Sequence, residues 1–298
     1  MTPGERAWAS YAAGDDAVEF RYAISFISAE QAKRNYEKEV ATVPFETLKA
    51  SGKAAWEKLM SRISVEGGTE AQRRSFYTSL YRCFVRMVDI TENGQYFSGY
   101  DQRVHTDKRP FYTDDYTWGN YLALHPLRCI LEPDKEADML QSYVRMYEQS
   151  GWMPDYPRHF GDRPGMFGFH SAVVFLDAYR KGIKNFEMSK ALEGLVKSAD
   201  HATMLPSRNG PGGALEEFFY KNGYYPALRP GEPETDSVAL LKRGQKRSAV
   251  AITLAHSYDS WALGEFAREL GETTLAAKYS ARGENYKNLW HAKSGFFF

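Results

Sequence analysis

Hydrophobic and polar positions change period early in the chain. Val18, Phe20, Tyr22, Ile24 and Phe26 alternate with Glu19, Arg21 and Ser25, the two-residue repeat of a half-buried strand. Such a strand needs a second element to cover its apolar face. Ser28 with Gln31 three residues on has the form of a capping box, so a helix to about residue 40 is predicted, closed by the turn at Val43-Pro44.

From Phe45 onward the period is helical. Leu48, Trp56 and Leu59 predict a helix in spite of Gly52, and Gly67-Gly68 breaks it. Thr69 and Gln72 form a second capping box, and Phe76, Leu80 and Phe84 recur every four residues, which predicts a helix over 70–87. Further helices are expected at 118–131, at 134–149 with Asp134 as N-cap and Gly151 past its end, at 169–181 before Gly182, and at 186–204. The last two cover 246–270 and 272–289, separated by Gly271. Three long segments, 89–117, 151–168 and 206–244, interrupt the helices, and loops of that length inside a compact domain are usually functional. Helices joined alternately by short turns and long loops predict a helical toroid with the long loops gathered at one end. No fixed-period repeat points to a solenoid.

Composition narrows the function classes. The 298 residues include 38 basic and 38 acidic side chains, so there is no net charge to draw the chain to nucleic acid or an anionic membrane. No apolar run approaches the roughly twenty residues of a transmembrane helix. The length is enough for roughly two domains and a substantial core. Cys83 and Cys129 stand far apart without CxxC or Cys/His spacing, which indicates neither a disulfide framework nor a structural zinc site. Residues 1–6 lack the basic and apolar regions of a secretory signal, so either the chain is cytoplasmic or its start lies elsewhere. Aromatic residues make up 15%, with 20 Tyr and 6 Trp, many in loops rich in Gly, Pro and Asp, a pattern suited to stacking on sugar rings. The motifs of P-loop, dinucleotide-binding, serine-hydrolase and zincin chemistry are missing.

The densest cluster of chemistry is 111–121, where Asp114, Asp115 and Trp118 meet at the entry of a helix. One aspartate can serve as an N-cap; alternatively the acids hydrogen-bond sugar hydroxyls while Trp118 faces the pyranose. In 151–157, Pro154 and Pro157 pin a loop bearing Trp152 and Tyr156, as a ligand platform or as a packed plug. His170 and Asp177 are two helical turns apart, too far to pair, so His170 needs another partner, structural or ligand. Asp259 falls on the apolar stripe of Ala255, Leu263, Phe266 and Leu270, where it must be paired. Glu216-Glu217 is a further acidic pair that a two-carboxylate glycosidase mechanism can recruit, with nothing to fix its geometry.

Several stretches in order resemble glycoside hydrolase family 92. They are Ile24-Ser25-Phe26-Ile27-Ser28 with Gln31-Ala32; Tyr77-Thr78-Ser79-Leu80-Tyr81-Arg82; Tyr112-Thr113-Asp114-Asp115-Tyr116-Thr117-Trp118 with His125-Pro126-Leu127; and Gly151-Trp152-Met153-Pro154. Met166 with Gly168-Phe169-His170, Asp177-Ala178-Tyr179-Arg180-Lys181-Gly182-Ile183, Tyr258-Asp259-Ser260-Trp261-Ala262 and Asn285-Tyr286-Lys287-Asn288-Leu289 complete the set.

The resemblance implies a calcium-dependent, inverting exo-α-mannosidase with a β-sandwich packed on an (α/α)6 toroid. The expected fold is therefore mainly α, a partial (α/α)6 toroid preceded by the last strand or strands of the sandwich and a linker helix. It places the sandwich remnant with its exit helix at 1–43, a linker helix region at 44–68 and the incomplete catalytic domain at 69–298. Asp114, Asp115, Trp118, Trp152 and His170 are expected as substrate contacts, a mannose-containing glycan as the partner, and a secreted or periplasmic location. The family's acid and base lie beyond the segment that Ser294-Gly295-Phe296-Phe297 resembles, so the chain reads as an internal piece of a longer enzyme, inactive alone and poorly soluble or partner-dependent. Gly119 and Leu122 stand where the family typically has Asp and Arg, so an α-mannoside is the family's default and not deduced from these residues. The alternatives are a carbohydrate-binding module without turnover, a protein-binding scaffold, or a related toroidal glycosidase acting on α-glucosides or uronides.

Overall fold

A computed structural model describes residues 14, 19–163, 165–206, 210–235 and 247–298. Its contacts divide into two compact units. One holds the described residues up to Phe84 with Ile90–Phe97 and Val104–Asp107; the other holds Val85–Asp89, Ser98–Arg103 and Lys108–Phe298.

In the first unit, capping chemistry starts the helices where the sequence places them. α1 (Ala29–Glu39) opens at Ser28, whose hydroxyl accepts the Gln31 N–H at 3.1 Å. α2 (Phe45–Met60) follows Pro44, and no residue in it is fully buried. Gly67 and Gly68, at φ +77° and +69°, make the break, and Thr69 and Gln72 satisfy each other's backbone donors at the start of α3 (Glu70–Cys83). The Trp56 and Tyr81 rings, 4.4 Å apart, join α2 to α3. α3 ends at Cys83, short of the expected residue 87, because β1 (Val88–Asp89) pairs in antiparallel fashion with Tyr112–Thr113.

The alternating segment that opens the described chain does not form the expected strand. Val18 lies outside the described residues, and 19–26 has no strand partner among them. Phe20, Tyr22 and Ile24 stand 72%, 68% and 68% exposed. Arg21 turns inward instead, its guanidinium donating to the carbonyls of Val40, Ala41 and Val43 at 2.7, 3.1 and 2.9 Å. With no neighbouring ladder to pair with, the polar side found the better hydrogen bonds.

Segment 89–117 contains a hairpin, β2 (Gln95–Ser98) with β3 (Arg103–Thr106), and then β4 (Tyr112–Thr113), the partner of β1. The helix expected at 118–131 is two pieces, α4 (Thr117–Asn120) and α5 (Leu124–Leu131). Pro126 separates them, since its ring has no N–H and crowds the carbonyl of Leu122 four residues back. α6 (Pro133–Ser150) has Glu132 rather than Asp134 at its N-cap position, without a side-chain cap, with Pro133 in the first helical position and Gly151 ending it at φ +82°. A small antiparallel pair, β5 (Pro157–Arg158) and β6 (Gly161–Asp162), forms in the next segment.

α7 (Ser171–Arg180), α8 (Met188–His201), α10 (Ala249–Glu269) and α11 (Thr273–Gly283) lie within the helical stretches read from the sequence, and a 3-10 turn at Glu284–Leu289 follows α11. The expected start at 246 is outside the described residues. α9 (Ala214–Asn222) occupies a segment expected to be loop, its start held by Glu216, which accepts the Gly213 N–H at 2.8 Å. The core of the second unit sits where α6, α7, α8 and α10 meet: Leu140, Val144, Phe175, Leu195, Leu263 and Phe266 are wholly buried. Phe175 packs against Phe266 at 6.3 Å and Phe186 at 5.3 Å. β7 (Trp290–His291) and β8 (Phe296–Phe297) form the last hairpin.

Candidate functional site

The turn between β4 and α4 carries the two aspartates of the 111–121 cluster, and the fold gives them different tasks. Asp114 takes φ +62°, and its carboxylate is ion-paired with Arg158 and, at 3.1 Å, with Arg86. Arg158 also lies 3.9 Å over the Tyr156 ring. Asp115 is wholly buried and accepts from Asn120, Tyr143 and His125, the last at 2.8 Å. His125 reaches Glu136 with its other ring nitrogen at 2.7 Å. Burial alone drives an imidazole toward neutrality, but Glu136 and Asp115 on its two sides outweigh this and raise His125 to about 9. Burial likewise opposes ionisation of Asp115, yet His125, Arg128 and the Tyr143 hydroxyl hold its carboxyl well below the usual range. This is a charged, buried, hydrogen-bonded brace between the β4–α4 turn, α5 and α6, and neither aspartate caps α4 with its side chain.

His170 finds its partner in Asp259, Nδ1 to Oδ1 at 2.6 Å, while the other oxygen of Asp259 accepts the Phe169 N–H at 2.6 Å. The pairing of Asp259 required by the α10 stripe is thus met across to the start of α7. Glu216 is structural as well: besides Gly213 it accepts from the Met204 N–H at 2.9 Å and the Tyr225 hydroxyl at 3.1 Å. Trp118 stands half-buried, edge-on to Phe167 at 6.3 Å.

A hollow of about 420 Å³ opens in the same unit, walled by the 151–169 segment, the 202–205 chain after α8, and α10. Trp152, Asp155, Asp162, Phe169, His256 and Tyr100 are in its wall. Of the five residues expected from the sequence, only Trp152 lines it; His170 and Trp118 stand one residue behind, through Phe169 and Phe167, Asp115 belongs to the brace, and Asp114 to the ion pairs with Arg158 and Arg86. Lys197 places its ammonium 5.0 Å from the Trp152 ring centre. Gly161, at φ +113°, runs so close to Gly99 that no side chain fits at either position, and both glycines form part of the wall.

Four of the lining residues, Tyr100, Asp155, Asp162 and His256, were not legible beforehand as site residues. Burial, then Asp162, pushes Asp155 well above the usual carboxylate range. Asp162 is raised to about 6 by burial, against the N–H groups of Tyr156, Asp155 and Arg163 that it accepts. His256 packs between Phe169 at 5.4 Å and Phe219 at 6.1 Å, and burial lowers it to about 4, leaving a neutral imidazole. Asp155 lay within the proline-pinned stretch noted in the sequence, whereas nothing in the pattern around Tyr100 or His256 marks them. Cys129 is no nucleophile, since burial pushes its thiol up to about 12.

Calcium takes six to eight oxygen ligands. Among the described residues, no three His, Cys, Asp or Glu side chains are grouped to share an ion. Among the same residues no helix is long and apolar enough to cross a membrane.

Residues 31–298 match the family model described as "Glycosyl hydrolase family 92 catalytic domain". A secreted glycosidase from Arthroderma benhamiae, uncharacterised by its name, is 25% identical over 289 residues, 95% of this chain and 32% of the relative. A family GH92 inverting mannosidase from Bacteroides thetaiotaomicron superposes with a TM-score of 0.78 at 31% identity, over 92% of this chain and 35% of that one. A GH92 α-mannosidase from the same organism is alike in fold, with a TM-score of 0.77 at 22% identity over 92% of this chain and 34% of that one. The chain therefore spans about a third of the length of these relatives. With the family model matched from α1 through the last hairpin, the chain belongs to glycosyl hydrolase family 92.

Proposed function

We propose that this chain is part of a glycosidase that hydrolyses terminal α-mannosidic bonds of glycans outside the cytoplasm, by inversion and with calcium. The observation that carries the reading is the family match over 31–298, and the similarity to an inverting mannosidase at 31% identity supports the sugar and the stereochemistry. The location rests on the relative named as secreted. In this reading the helical unit is part of an (α/α)6 toroid. Residues 1–43 are the end of a sandwich with its exit helix, 44–68 a linker, and 69–298 the start of the catalytic domain.

The chain's own residues bind and shape rather than transfer protons. Asp162 is tied to the backbone N–H groups of Asp155 and Tyr156, and Asp259 to His170, which suits positioning. We therefore expect these 298 residues alone to bind saccharide without turning it over, while a protein extended to the relatives' length hydrolyses it. Incubating both with α-mannobiose and following free mannose, with calcium or a chelator, tests this. Mannose released only by the extended protein and stopped by the chelator is the expected result. Turnover by the 298-residue chain would overturn the assignment of the acid and base elsewhere; release of another sugar from a mixed panel, with none from mannobiose, would overturn the mannosidase reading.

A further inference from the structure

The turn of the β5–β6 hairpin carries the most exposed large apolar side chain among the described residues, Phe160, at 79%. Single apolar residues on a surface are ordinary. Two observations set this one apart.

The first is that its backbone is fixed. Gly99 is pressed so close against the turn that a Cβ there would lie 2.3 Å from both the Phe160 carbonyl carbon and the Gly161 nitrogen. At the foot of the hairpin the Asp162 carboxylate accepts the Tyr156 N–H at 2.6 Å, the Arg163 N–H donates to the Tyr156 carbonyl at 3.0 Å, and the Asp115 N–H to the Pro157 carbonyl at 3.1 Å. Arg158 is held by Asp114 and lies over the Tyr156 ring. The charged side chains of both strands, Arg158 and Asp162, are thus engaged in holding the hairpin, which leaves His159 and the Phe160 ring at its tip. A ring carried on so constrained a turn has already lost backbone freedom that binding would otherwise take from it.

The second is where the turn lies. Phe160 and Gly161 belong to the wall of the 420 Å³ hollow, together with Trp152, Met166 and Phe167. Those three are half-buried whereas Phe160 is open to solvent, so Phe160 marks the mouth. In the function proposed above the enzyme removes a terminal sugar, and whatever enters the hollow leaves the rest of its glycan at that mouth. A phenyl ring has no hydrogen-bonding tip and meets its neighbour through apolar contact with the ring face, as stacking on the C–H face of a sugar requires.

We infer that Phe160 determines specificity on the leaving-group side of the reaction, stacking on the sugar next to the terminal one. The inference rests on the mannosidase reading and adds to it a residue that selects the leaving group.

Hydrolysis of α-mannobiose by the protein extended to the relatives' length, with methyl α-mannoside as a competitor that has no second ring, tests it on the native protein, Phe160→Ala and Phe160→Trp. Phe160→Ala should lower kcat/KM for mannobiose about three- to tenfold while the inhibition constant of methyl α-mannoside stays within about twofold of native. Phe160→Trp keeps a stacking face and should hold mannobiose within about twofold of native. The Tm of the extended Phe160→Ala protein should match the native value, since the ring stands free. Mannobiose kcat/KM unchanged by Phe160→Ala, equal weakening of mannobiose and methyl α-mannoside, or a lowered Tm, which would mean that the ring is packed against another part of the protein, would each overturn the inference and leave the proposed activity standing. No mannose released from mannobiose by the native extended protein would overturn both.

Discussion

His125 shows how much one side chain in this chain depends on its neighbours. Its ordinary value is 6.5, and Glu136 and Asp115 overcome burial to raise it to about 9 in the folded chain. Folding therefore favours the protonated ring. The stabilisation it brings is fully present below about pH 6.5 and is lost as pH rises through 9. His125→Gln should lower the Tm most below pH 6.5, with the gap to the native chain shrinking above 9; a pH-independent gap measured by calorimetry would mean the ring acts by shape alone. Gly168 is a second sensitive residue. It takes φ +91°, and a Cβ there would lie 2.8 Å from Oδ2 of Asp259 and 2.9 Å from Cε1 of His170. Gly168→Ala should cost about 1–3 kcal/mol in denaturant unfolding, from the strained conformation and the displaced Asp259 pair together.

Elements started by local chemistry are those that the sequence makes legible. Ser28 and the Thr69–Gln72 box open α1 and α3 as their spacing requires, and Gly151 closes α6. Gly52 in α2 is the counterexample to Gly168: nothing lies within 4 Å of its would-be Cβ, so Gly52→Ala should raise stability by about 0.5–1 kcal/mol, read by the same unfolding experiment. What was not legible depends on partners distant in sequence. The period-two segment at 19–26 reads as a strand, but strand formation needs a ladder, and Arg21 bonds to the 40–43 carbonyls instead. α9 was hidden in an aromatic stretch, because the buried Glu216 that anchors it finds Met204 and Tyr225 only in three dimensions. Of the candidate site, Trp152 was readable from its proline-pinned loop. Asp115 and His170 looked equally suitable until His125 and Asp259 claimed them, and Tyr100 and His256 carry no local sign at all.

At the scale of the molecule, the two units differ in how their helices are held. α2 has no fully buried residue, whereas α6, α7 and α10 are anchored by wholly buried side chains such as Leu140, Phe175 and Phe266. Hydrogen exchange should accordingly be slowest in α6, α7 and α10 and faster in α2 by the equivalent of several kcal/mol, roughly the spread between local and global opening. Equal protection in the two units would show that the first is better buttressed than its side chains indicate. In the function proposed above, the chain handles saccharide at the hollow beside Trp152, and the hollow is where that proposal is most exposed. The most direct measurement is chemical-shift mapping of the isotopically labelled chain as mannose is added. The account predicts saturable shifts at the Trp152 indole N–H and at the amides of Gly168 and Phe169, with the α2 amides unmoved. Shifts confined to residues away from that wall, or none at any mannose concentration, would contradict it.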